Sequence, residues 1–325
     1  MWSKICLFIN AVLFVHTDLS YEQLNLEKAM NMNQIFKILA SAAILASSQA
    51  HASIIWGNNA SSGNVTLEAF DSSTGSLVQQ FLVPNLTARA DNGRGVAVLG
   101  NTIYYTTANS GNIYVTNATT HADLGVLVNT NFSGIANIAT DGTYIYANNY
   151  QSSTGIINKY DTSGNLVGTV TVGAGYSGRD GFEVQNNPNI NGGALTFISN
   201  RGDATGPYDV YDSNGNLLIS NFINPSGNGF SNSVTGIAYD GTDYFVSEIY
   251  NNMLLEYSGT GTFIKSIDLS GNPNPFSGTR YLEDLSAVGN TISNPPPTNN
   301  VPEPVSLALV GTCLISLLAT RHKKV

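Results

Sequence analysis

Three stretches of the chain repeat one design: GVAVLGNTIYYTTANSGNIYVTN (Gly95–Asn117), NIATDGTYIYANNYQSSTGIINKYD (Asn137–Asp161) and GIAYDGTDYFVSEIYNNMLLEYSG (Gly236–Gly259). Each reads as a strand, a tight Gly-Asn or Asp-Gly turn, a Tyr-rich strand, a loop and a third strand. Between them recurs a second marker, a polar hairpin followed by an apolar strand: DSSTGSLVQQFLV (Asp71–Val83), DTSGNLVGTVTV (Asp161–Val172), DSNGNLLISNFI (Asp212–Ile223) and SGTGTFIKSIDL (Ser258–Leu269). A degenerate copy, HADLGVLV from His121, fills the gap near Gly125.

The marker glycines Gly75, Gly125, Gly164, Gly215 and Gly261 are separated by 50, 39, 51 and 46 residues. A unit of about 40 to 50 residues with four short strands is the length of a β-propeller blade. In Thr143-Tyr144-Ile145-Tyr146-Ala147 neighbouring side chains must point to opposite faces, and both are apolar enough for burial between adjacent blades. Five hairpins therefore predict an all-β propeller of five four-stranded blades, or six if the longer unit Gly181 to Asn224 holds an extra hairpin. A jelly-roll or immunoglobulin-like sandwich is the alternative that short alternating strands also fit.

The first unit, Ile54 to Val83, lacks an inner strand, whereas Tyr281 to Ile292 (YLEDLSAVGNTI) is an inner strand without a blade. Joining them closes the ring with strands from both ends of the domain and removes the sheet edges an open array would expose. The repeat resembles the NHL or YVTN type of propeller unit.

Composition agrees with many strands and tight turns. The 325 residues are 42% hydrophobic and only 11% charged, with 32 Gly, 16 Tyr and 13 Phe. Residues 53 to 300 carry 18 Asp plus Glu against 7 Lys plus Arg, a net charge of −11. Nucleic acid is excluded as an expected partner, since phosphate binding needs a basic face. Cys6 and Cys313 both lie outside this stretch, so a disulfide-free core must hold the domain.

Both ends read as processing segments. MNMNQIFKILASAAILASSQAHASIIWG, from Met30, has a basic n-region at Lys37, an apolar run from Ile38 to Ala46, and a small-x-small cleavage site at Ala50-His51-Ala52. Residues 30–52 are thus expected to be a signal peptide, with residues 1–29 an upstream over-extension or an additional apolar segment. At the other end Val301-Pro302-Glu303-Pro304 precedes an uncharged run, Val305 to Thr320, and the basic tail Arg321-His322-Lys323-Lys324. Sixteen helical residues reach about 24 Å, slightly short of a bilayer core of about 30 Å. Residues 294–300 form a Pro- and Asn-rich linker between the domain, residues 53–293, and this tail.

The tail, residues 301–325, resembles the PEP-CTERM sorting signal of Gram-negative bacteria. The resemblance implies recognition of Pro302, Glu303 and Pro304 by an exosortase during export, a transmembrane helix over 305–320, and a cytoplasmic basic cluster in which Arg321, Lys323 and Lys324 take part. It implies further a protein of the cell envelope or surrounding matrix, in bacteria that make exopolysaccharide and biofilm, held at least transiently by the membrane. Here the basic cluster is interrupted by His322 and ends on Val325, unlike the uninterrupted Arg-rich terminus usual in the family.

Propellers bind ligands where loops lead into the inner strands, at the channel mouth. Three of the seven Lys and Arg residues of the body, Arg94, Arg179 and Arg280, fall in these lead-ins, beside Asp180, Glu183, Glu283 and Asp284. Such residues could bind a sugar through bidentate hydrogen bonds, or pair among themselves as a salt-bridge cap. The expected function is a non-enzymatic, exported binding protein for exopolysaccharide or surface proteins, needing no cofactor. The alternative is a propeller hydrolase or lyase acting on sugars or lactones, resembling calcium-dependent lactonases; its Ca²⁺ would draw on Asp180, Glu183, Asp284 and nearby Asn side chains. His121 is the single histidine of the body, and no Gly-x-Ser-x-Gly elbow occurs, so neither a histidine triad nor a simple serine hydrolase is expected.

Overall fold

The structure, a computed structural model, describes residues 53–60, 65–83, 92–150, 152–176, 178–202, 206–231, 233–272 and 280–288. The expected signal peptide, linker, transmembrane helix and sorting tail lie outside these residues. Among the described residues no helix is long and apolar enough to cross a membrane.

Among the described residues twenty strands form five antiparallel four-stranded sheets. Blade 1 uses β1 (Ile54–Asn59), β2 (Thr66–Asp71) and β3 (Leu77–Leu82). Blade 2 is β4 (Gly93–Leu99), β5 (Thr102–Thr107), β6 (Asn112–Asn117) and β7 (Asp123–Asn129). Blade 3 is β8 (Ile138–Thr140), β9 (Ile145–Asn148), β10 (Ile156–Tyr160) and β11 (Leu166–Thr171). Blade 4 is β12 (Phe182–Gln185), β13 (Thr196–Asn200), β14 (Tyr208–Asp212) and β15 (Leu217–Ile223). Blade 5 is β16 (Val234–Tyr239), β17 (Asp243–Glu248), β18 (Met253–Ser258) and β19 (Phe263–Asp268), and β20 (Leu282–Val288) returns to complete blade 1. Its register on β1 runs from Ile54 opposite Val288 to Asn59 opposite Leu282. The inner strands β4, β8, β12, β16 and β20 contact one another in a closed ring. Closure by strands from both ends is therefore as the sequence predicts.

The strands inside the outermost one of each blade are largely buried on both faces because each blade is packed between two others, whereas outer strands such as β11 and β15 are mostly exposed. The five buried clusters lie one in each interface: Trp56, Leu67 and Phe81 with Val96, Ile103 and Tyr105 between blades 1 and 2, for example. Within β9, Ile145 and Ala147 join the cluster shared with blade 2, while the intervening Tyr146 joins that shared with blade 4. In β13, Phe197 faces blade 3 and Ile198 faces blade 5. This is the period-2 alternation of a strand, with both sides dry.

The six-blade option is corrected. The unit Gly181 to Asn224 is one blade, and its extra length sits in the connection between β12 and β13, which carries a short 3₁₀ turn at Asn191–Gly193. The marker near Gly125 is corrected too. Gly125 lies inside β7, and the turn of blade 2 runs from Asn117 to His121, whose φ of 57° takes the left-handed place held by glycine elsewhere.

A physical reason separates those positions. A Cβ on Gly164 would meet the Leu127 carbonyl at 2.4 Å, on Gly215 the Thr171 carbonyl at 1.8 Å, and on Gly261 the Phe222 carbonyl at 2.3 Å, each on the outer strand of the preceding blade. In blade 2 the equivalent His121 lies over that neighbouring strand instead. Its ring stacks on Phe81 of β3 at 3.8 Å between centroids, and its Nε2 is 2.7 Å from Gln79 Nε2.

A second repeated device ties four of the five blades to the next. Near the end of its second strand each blade carries a buried polar residue: Asn58, Thr106, Asn148, Asn200 and Ser247. Three of them donate to a lead-in carbonyl of the following blade: Asn58 Nδ2 to Gly95 at 2.9 Å, Thr106 Oγ1 to Ile135 at 3.2 Å, and Asn148 Nδ2 to Arg179 at 2.9 Å. Blade 4 makes the same link from its third strand, with Tyr208 Oη donating to the Thr235 carbonyl at 2.5 Å.

Candidate functional site

The innermost strand of a blade has one edge with no neighbouring strand, so its N–H groups facing the channel need other acceptors. Asp284 supplies them across the closure. One carboxylate oxygen accepts from the N–H groups of Val96 (2.9 Å) and Ile138 (3.2 Å), the other from Asn137 Nδ2 (2.8 Å). Thus β20, β4 and β8 share one side chain. Ser286 continues the pattern, its Oγ accepting from the Val98 N–H at 3.0 Å. Glu183 on β12 accepts from Val184 N at 2.9 Å and from the backbone of Tyr239. Burial pushes both the Glu183 and Asp284 carboxyls well above the ordinary carboxylate range, and each backbone donor opposes that shift.

The three lead-in arginines separate into two roles. Arg179 and Arg280 turn away from the channel into the crevices between blades. Arg179 donates through Nη1 to the carbonyls of Val172 and Gly173, just beyond β11. Arg280 donates to the Leu269 carbonyl at 2.9 Å, just beyond β19, and through Nε to Glu68 Oε2 at 2.5 Å. Val172 and Leu269 occupy the same place in their blades, so the two guanidiniums are one brace used twice.

Arg94 alone of the three stays at the mouth. Its Nη1 is 3.0 Å from Glu283 Oε1, with the two side chains 27% and 12% exposed. Asp180, just before β12, accepts from Asn200 Nδ2 at 2.6 Å, and burial first, then the charge of Glu283, holds its carboxyl up at about 7. Tyr150 completes the group: burial raises its hydroxyl, the charges of Asp180 and Glu283 raise it further, and Arg94 opposes them. Beside Arg94 opens a cavity of 60 Å³, floored by Ile135 and Ala136, walled by Ala108 and Tyr150, and rimmed by Asn109.

Of the seven predicted mouth residues, then, Arg94, Asp180 and Glu283 meet at the mouth, Glu183 and Asp284 line the channel within, and Arg179 and Arg280 are structural braces. Tyr150, Asn137, Asn200 and Asn58 were not singled out from the sequence. A small polar residue recurring near the end of each second strand was the signal available for Asn58 and Asn200. Four amide oxygens, those of Asn58, Asn137, Asn186 and Asn252, are buried without a hydrogen-bond partner among the described residues. Among those residues no three His, Cys, Asp or Glu side chains are grouped so as to hold a metal ion.

No protein-family model and no curated protein matches the chain. Among solved structures it is similar to a chain of a nidogen/laminin complex, at 9% identity and a TM-score of 0.48 over 74% of this chain and 100% of that one. It is also similar to a Bacteroides caccae protein of unknown function, at 12% and 0.42 over 67% and 73%. A third likeness is Myxococcus xanthus glutaminyl cyclase, at 12% and 0.40 over 56% and 76%. The strand pairing and the closed ring of inner strands make the chain a five-bladed β-propeller.

Proposed function

We propose that the protein is an exported, envelope- or matrix-associated binding propeller, sorted through its Pro302-Glu303-Pro304 tail, that engages exopolysaccharide at the channel mouth without catalysing a reaction on it. The observation that carries the reading is the mouth itself: a partly exposed guanidinium, held in place by Glu283, beside a small cavity with a tyrosine wall. Arginine fixed by one carboxylate still has donors for sugar hydroxyl or carbonyl oxygens, and an aromatic wall suits the apolar face of a pyranose. The carboxylates of Glu183 and Asp284 on the inner strands are engaged by backbone N–H groups, a structural use that accounts for their presence. Weak contacts of this kind gain strength when a polymer presents many copies of one unit. Co-sedimentation of the full chain with the polysaccharide of the producing bacterium tests the reading. Saturable retention supports it, and a chain left wholly in the supernatant contradicts it.

One observation favours the alternative of a cation-dependent hydrolase or lyase. The unpartnered Asn137 oxygen belongs to a side chain that donates to Asp284, whose charge reaches Glu183, and these are oxygen donors of the kind a hard cation takes. Calorimetric titration with Ca²⁺ separates the two: saturable tight binding moves the reading to the alternative and its lactone and glycan substrates.

A further inference from the structure

We propose that the cavity beside Arg94 is a subsite for the acetyl group of an N- or O-acetylated sugar. The inference rests on the glycan-binding reading above and specifies what the mouth distinguishes. Size comes first. At 60 Å³ the cavity is far below the roughly 300–1,000 Å³ of pockets that enclose whole small molecules. It takes a substituent of a few non-hydrogen atoms and leaves a sugar ring outside, against Tyr150.

The lining then selects the substituent. Ile135 and Ala136, 1% and 3% exposed, with Ala108 and Gly134, give an apolar floor on which a methyl group replaces water favourably. Arg94 stands at the same cavity and, among the described residues, gives only Nη1 to a partner. Its remaining donors call for an acceptor next to that methyl. A carboxylate is the wrong acceptor, because Glu283 already neutralises the guanidinium and its charge extends to a second carboxyl, Asp180. The surrounding domain, at −11, adds to the repulsion. A neutral carbonyl bearing a methyl satisfies both demands, and on a polysaccharide that group is an acetamide or acetate ester. Sugars with a bare hydroxyl at that position leave the floor wet, and larger acyl groups do not fit.

The test uses the full chain and two matched probes, N-acetylglucosamine tetramer and cellotetraose, which differ in an acetamide against a hydroxyl. Calorimetry is expected to show about tenfold or more tighter binding of the acetylated tetramer. Ala108→Leu, which fills the cavity from a half-buried position, is expected to erase that preference with the melting temperature kept. Should Ala108→Leu lower the melting temperature, Arg94→Gln gives the same readout without adding volume. Equal affinity for the two probes, or a preference that survives both substitutions, overturns the acetyl subsite. These results are distinct from failure of the broader reading. If the bacterial polysaccharide binds, but equally well before and after chemical deacetylation, only the subsite falls; if neither probes nor polysaccharide bind, the glycan reading falls and the subsite with it.

Discussion

Asp284, on the last strand of the ring, accepts a hydrogen bond at 2.9 Å from the backbone N–H of Val96, on the first inner strand of the blade beyond the closure. The same carboxylate reaches Ile138 and Asn137 of blade 3, so the strand that closes the ring also fastens two blades on its far side. Replacing Asp284 by Ala leaves these donors buried and unmet, at about 1–3 kcal/mol for each that water does not rescue. Thermal unfolding is expected at a temperature roughly 10 °C lower. Asp284→Asn, which keeps the volume and one acceptor oxygen, should fall between the two.

The Arg280 brace is expected to matter more than its distance from the mouth suggests. Its partner Glu68 is fully buried, and Arg280→Ala strands that carboxylate together with the Leu269 carbonyl. Loss of one partner from such a pair costs about 3–5 kcal/mol. Chemical denaturation should show the loss, while glycan binding at the mouth is unchanged in the variant that remains folded.

Glycines with positive φ should divide by what lies behind them. Gly215 has φ 86° and its Cβ would lie 1.8 Å from the Thr171 carbonyl, so Gly215→Ala must push two blades apart. Gly125 has φ 92° with open space around it, and Gly125→Ala costs only the backbone strain of about 1 kcal/mol. Comparable midpoints for the two variants in urea would refute the interblade role of the turn.

Stability is expected to rise as pH falls from 8 towards 5. Burial raises the carboxyls of Asp180 to about 7 and Asp243 to about 6, and raises those of Glu183, Glu283 and Asp284 as well. A raised folded-state value means that the folded chain holds protons the unfolded chain has released. That stability is complete below the ordinary carboxylate range near 4 and is lost as pH climbs through the folded values. The hairpin aspartates Asp71, Asp161, Asp212 and Asp268 act oppositely. Turn hydrogen bonds lower them, and their contribution is lost as pH drops below about 4. Melting temperatures measured across pH 3 to 8 should therefore peak in the mildly acidic range. A maximum at pH 8 would contradict this.

The architecture was legible in the sequence because its causes are local. Asp-Gly turns such as Asp141-Gly142, with φ 87° at the glycine, punctuate strands whose two faces are both apolar, and an inner strand stood alone at Tyr281 to Ile292. The site was legible only in part. Arg94, Arg179 and Arg280 occupy similar lead-ins, but Arg94 lies within its strand while Arg179 and Arg280 precede theirs. That difference in register turns two guanidiniums towards the preceding blade, and spacing along one chain does not reveal it. The blade 2 turn escaped for a similar reason: His121 takes the left-handed conformation and the interblade contact together, through a stack on Phe81 that only the folded ring creates.

Binding at the mouth is tested most directly by calorimetric titration of the producing organism's exopolysaccharide into the full chain and into its Arg94→Gln variant. Saturable heat in the parent chain that Arg94→Gln removes, at an unchanged melting temperature, is the predicted result. Equal heats in both, or none in either, would contradict it.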